Sequence, residues 1–101
     1  MHYYDGSHKL GILNHKSSFA RGSSQTIKQT SKLKRLRISL PNLKPGDALI
    51  HHVLVAHGSK NNKSRLRRSG VTFQIKDQKS GYDFKKIALY RKKLQHQISK
   101  R

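Results

Sequence analysis

"NLKPGDALIHHVLV", residues 42–55, is the stretch on which the fold reading turns. Pro45-Gly46-Asp47 is a strong turn signal. It is followed at residues 48–56 by the run richest in apolar and β-branched side chains, bounded by Asp47 and Gly58. Pro41 and Pro45 each remove a backbone donor and hold the preceding residue extended, so the chain is expected to turn and enter a strand. Alternation along that strand places Leu49, His51, Val53 and Val55 on one face, and Ile50, His52 and Leu54 on the other.

The pattern changes on both sides of this stretch. Upstream, in "QTIKQTSKLKRLRISL" (25–40), Ile27, Leu33, Leu36 and Leu40 sit at loosely helical spacing, although Ile38 lies off the stripe. This spacing predicts a short helix ending before Pro41. Residues 1–24 hold one apolar cluster, Leu10 to Leu13, in a basic, Ser-rich stretch of the composition seen in organellar transit peptides. They read as an irregular extension of the mature chain with at most one short strand. Downstream, residues 57–70 form a polar loop bracketed by Gly58 and Gly70. A second strand is predicted at 71–75, with Val71, Phe73 and Ile75 on one face. Val53, Val55, Val71 and Phe73 are then the expected core. Beyond a turn at 76–81, Phe84, Ile87, Ala88, Leu94 and Ile98 follow helical spacing, with Asp83 as N-cap. The expected divisions are a basic extension (1–25), a short helix (26–40), a small β unit (41–81) and a basic C-terminal helix or tail (82–101).

Charge narrows the function classes. The chain has 101 residues, 23 Lys and Arg, four acids and a net charge of +19. The acids are Asp5, Asp47, Asp77 and Asp83, too few to balance the cations across a solvated surface. A small core under such self-repulsion is expected to need a partner for full order, and the partner implied is a polyanion. The expected phosphate contacts are Lys32, Lys34, Arg35, Arg37, Lys60, Lys63, Arg65, Arg67, Arg68, Lys85, Lys86, Arg91, Lys92 and Lys93. Among them, the loop carrying Arg65, Arg67 and Arg68 is the foremost candidate for clamping phosphate.

The chain has no cysteine, so it has no disulfide framework and no thiolate metal site. There is no Gly-rich phosphate loop of the nucleotide-binding type. Of the seven histidines, His51 and His52 are neighbours on a predicted strand and point to opposite faces, so they do not share a metal. No carboxylate is expected to orient an imidazole. The expectation is therefore no metal, no cofactor and no catalytic residue. Tyr3 and Tyr4 are expected to stack on exposed bases or to lie against a neighbouring protein.

"LPNLKPGDALIHHVLVAHGSK" resembles a segment of the bacterial-type large-subunit ribosomal protein nineteen family. The residues that carry the resemblance are Pro41, Leu43, Lys44, Pro45-Gly46-Asp47, His52 to Val55 and Gly58-Ser59-Lys60. "TIKQTSKLKRL" and "SRLRRSGV" are similar to its flanking segments. The family's later strands and its Pro-His-Ser-Pro region have no counterpart here. A divergent organellar version of that family implies a mainly β fold: a small SH3-like β-barrel with a basic N-terminal arm. It also implies a structural, non-enzymatic role in the large subunit of a mitochondrial ribosome. Ribosomal RNA and neighbouring ribosomal proteins would be the partners, with no membrane and no small-molecule substrate. The competing readings are another small basic ribosomal barrel and an architectural DNA-binding protein.

Overall fold

The computed structural model describes residues 1–18, 20 and 25–99, so part of the expected basic extension (19 and 21–24) lies outside the described residues. The chain divides into two compact units, Met1–Lys63 and Ser64–Arg101.

The first unit is built around its N-terminus. β1 (His2–Tyr4) is the central strand of a three-stranded antiparallel sheet. On one side it pairs with β4 (Ile38–Ser39), Tyr3 opposite Ser39. On the other it pairs with β5 (His57–Gly58), His2 opposite Gly58 and Tyr3 opposite His57. A short 3-10 helix (Ser7–Leu10) follows β1. β2 (His15–Ser17) and β3 (Gln25–Ile27) form a separate antiparallel hairpin, Lys16 opposite Thr26. Leu13, Leu33 and Ala56 make the buried core, with Tyr4, Ile27 and Leu36 packed against it. Ser7 is fully buried, and its Oγ accepts a hydrogen bond from the Ala56 amide at 2.9 Å. The Tyr4 amide donates to the Ala56 carbonyl at 3.0 Å. Together these bonds tie residue 56 to the chain's first turn, so the sheet is closed by contacts between segments far apart in sequence.

Several expectations are corrected. The extension at 1–25 is not a peripheral arm, because β1 is the middle of the sheet and Tyr3 is only 7% exposed. The helix expected at 26–40 is absent. The segment starts as β3, makes a turn in which the Leu33 amide donates to the Thr30 carbonyl at 3.0 Å, and ends as β4. Leu33 and Leu36 do reach the core, but from a turn: a segment this short, with Thr and Ser among its residues, is a marginal helix, and strand pairing at both ends takes over.

The turn at residues 44–47 is present. The Asp47 amide donates to the Lys44 carbonyl at 3.0 Å, and Gly46 sits at φ 94°, a conformation that costs glycine nothing. The strand expected after it is not formed. The chain turns again where the Val55 amide donates to the His52 carbonyl at 3.0 Å, and pairing begins only at His57. A β-rich run needs a ladder partner, and β1 is too short to offer one beyond residues 57–58. Val53 is 80% exposed and Phe73 84%, and Val71 is also exposed, so three of the four expected core residues face solvent. Residues 71–75 form no strand. The described residues form two small antiparallel sheets and no closed barrel.

The second unit carries α1 (Phe84–Ile98). Asp83 caps it as expected: its Oδ1 accepts from the Lys86 amide at 3.0 Å, and its Oδ2 lies 3.1 Å from Lys86 Nζ. These bonds to Lys86, the backbone one foremost, hold the Asp83 carboxyl below its ordinary range. The Ile98 side chain, expected on the apolar stripe, is not among the described side chains.

Candidate functional site

The sheet order brings together side chains from opposite ends of the first unit. Tyr3, on the central strand, is opposite His57 in register, and their rings stack with centroids 5.6 Å apart. His51 returns to the same place from the irregular segment before β5. Its ring lies 5.3 Å from Tyr3 and 5.1 Å from His57. Two imidazoles and a buried phenol ring thus form one cluster at the β1–β5 edge, with His51 and His57 on its exposed side.

Each imidazole is oriented by the backbone. His57 Nδ1 lies 2.9 Å from the Val55 carbonyl oxygen, and His51 Nδ1 lies 3.1 Å from that of His52. A carbonyl only accepts, so Nδ1 carries the proton in both rings, which leaves Nε2 of the neutral ring with a lone pair. That is the arrangement in which histidine serves as a metal ligand, with its other nitrogen held by a backbone carbonyl. His52 has the opposite assignment. Its Nδ1 accepts from the Leu54 amide at 3.1 Å, so the neutral ring carries its proton on Nε2. Its ring is 5.4 Å from His8, in a contact apart from the cluster.

The carboxylates of this unit are engaged elsewhere. Asp5 Oδ2 accepts from Ser39 Oγ at 2.7 Å and faces Arg37 Nε at 3.8 Å. Asp47 Oδ2 accepts from the Lys44 amide at 2.8 Å. Among the described residues no group of three or more His, Cys, Asp or Glu is placed to hold a metal ion. The strand alternation expected to separate His51 from His52 is not formed, and the placing of His51 beside His57 was not anticipated from the sequence. The signal available was the phrase HHVLVAH itself: a tight turn at 52–55 brings its first and last histidines to one side.

The fourteen expected phosphate contacts are divided between the two units. Lys32, Lys34, Arg35 and Arg37 are exposed between β3 and β4, and Lys60 and Lys63 are exposed after β5, all in the first unit. Arg65, Arg67 and Arg68 lie in the second unit on a segment not flanked by strands, and Lys85, Lys86, Arg91, Lys92 and Lys93 are on α1.

A family model described as phytanoyl-CoA dioxygenase (PhyH) matches residues 1–70. No curated protein and no solved structure matches the chain. The match spans both the N-terminal segment and the whole 41–60 stretch on which the ribosomal resemblance was drawn, and it overturns that resemblance. The structural role in a ribosome, the ribosomal RNA and protein partners, the absence of a small-molecule substrate and the absence of catalysis are corrected with it. High positive charge and a turn-strand phrase are compatible with many folds, whereas the matched region contains the whole of the first unit, in which the histidine cluster lies. The chain belongs to the phytanoyl-CoA dioxygenase family.

Proposed function

We propose that this chain serves an oxygenase of the iron- and 2-oxoglutarate-dependent type that its family implies, with His51 and His57 as its nitrogen donors. The observation that carries this reading is the pair of adjacent imidazoles, each fixed by a backbone carbonyl in the tautomer that leaves Nε2 free to ligate. Non-haem iron of this class is held by two histidines and one carboxylate, with open positions for small ligands. The residues present fit the nitrogen half of that set and not the oxygen half, since Asp5 and Asp47 are committed to Ser39, Arg37 and the Lys44 amide.

The test is anaerobic equilibrium dialysis of the full chain against Fe(II), with and without labelled 2-oxoglutarate. Fe(II) should be retained, and 2-oxoglutarate should be retained only when Fe(II) is present. His51→Ala and His57→Ala should each lower metal retention by about tenfold or more. His52→Ala, whose ring is in the other tautomer, should leave it unchanged. Equal retention by all three variants, or none by the parent chain, would overturn the reading.

A further inference from the structure

The family match ends at residue 70, and α1 lies beyond it. From Phe84 to Ile98 the chain carries Lys85, Lys86, Arg91, Lys92 and Lys93 and no acid. At ~100° per residue, Lys85, Lys86, Lys92 and Lys93 fall on one arc of the helix, interrupted by Leu89. Phe84, Ile87, Ala88 and Leu94 fall on the opposite arc, with Arg91 among them. Phe84 is 75% exposed, Ile87 and Leu94 are only half-buried, and Tyr82 packs at 6.1 Å from Phe84 on the same end. Lys76 donates to the Tyr82 hydroxyl at 3.0 Å and lies 4.2 Å over its ring, which places a further cation beside these aromatics.

We propose that α1 is a surface anchor that lies flat on an anionic lipid bilayer, with Phe84, Ile87 and Leu94 entering the acyl boundary and the lysine arc facing the headgroups. The occupant is chosen by charge and apolarity together. A second copy of the helix would bring five cations against five. A nucleic acid satisfies the lysines and leaves the apolar arc in water. An anionic lipid interface takes both arcs, with Arg91 reaching from the apolar arc to the headgroups along its aliphatic stem. Among the described residues no helix is long and apolar enough to cross a membrane, so the contact is one of lying on the bilayer.

The chain has no tryptophan, so Phe84→Trp in the full-length protein reports on this one position. With phosphatidylcholine vesicles containing phosphatidylserine, its emission should shift to the blue and the protein should co-sediment. With phosphatidylcholine alone, neither should occur. In the parent chain, Ile87→Ser with Leu94→Ser should lower the partition coefficient by about tenfold or more while leaving the charge untouched. Co-sedimentation without a blue shift, or with the serine pair binding as well as the parent, would mean simple electrostatic adsorption and overturn the proposal. So would tight binding to duplex RNA by a chain that ignores the anionic vesicles.

Discussion

Single residues in the first unit matter by where tertiary contacts put them, not by their hydrophobicity. Ser7 is polar, yet it is the fully buried side chain that receives the Ala56 amide. Val53 is apolar, yet it is 80% exposed. Ser7→Ala leaves a buried N–H with no acceptor and should cost about 1–3 kcal/mol. Val53→Asp should change stability by no more than about 0.5 kcal/mol, because it alters a solvated position. Urea unfolding monitored by Tyr fluorescence measures both, and a larger loss for Val53→Asp than for Ser7→Ala would contradict the assigned core. Alternation alone marks Val53 as interior and passes over Ser7, since it cannot tell a strand with a partner from an extended segment without one.

At the scale of elements, the C-terminal helix was legible and the N-terminal sheet was not. α1 is specified locally: Asp83 offers its carboxylate to the first-turn amides, and the following residues repeat at helical spacing. The Asp83 carboxyl is depressed in the folded chain by its bonds to Lys86, so its contribution is fully present above the ordinary carboxylate pKa. It is lost as pH falls through the depressed folded value. Circular dichroism at 222 nm should therefore show helix content falling on acidification through that range. Asp83→Asn keeps a capping side chain without a titrating group, and it should flatten the acid limb. An unchanged limb would place the acid sensitivity in another carboxylate. The three-stranded sheet, by contrast, is made of strands of three, two and two residues, each too short to leave a periodic trace.

For the whole molecule, the governing quantity is the charge of +19 on a chain whose buried hydrophobic residues, among those described, are Tyr3, Leu13, Leu33 and Ala56. The self-repulsion is long-ranged and screened by salt, while the small core is not. Thermal unfolding followed by circular dichroism should move to higher temperature as salt is raised toward about 0.5 M, where the screening length falls to a few ångström. A midpoint that drops with salt would mean that surface ion pairs such as Arg37–Asp5 outweigh the repulsion. The ribosomal resemblance rested on residues between Pro41 and Lys60, which the family match covers and overturns, and the charge is no evidence of fold. Net charge speaks to solubility and to association, and it leaves the fold open.

What the sequence by itself determined are the features whose causes lie within a few residues: the Lys44–Asp47 turn with its positive-φ Gly46, the capped helix from Phe84, and the excess of positive charge. Only the tertiary structure decided that the first four residues form the centre of the sheet, that Leu33 rather than Val53 is core, and that His51 and His57 meet beside Tyr3. The physical reason is sequence separation. Tyr3 and His57 are brought together by antiparallel pairing between opposite ends of one unit, and a turn at 52–55 returns His51 to the same edge. Local propensity acts over neighbours along the chain, whereas burial, strand register and the grouping of side chains into a site are set by which distant segments find a partner.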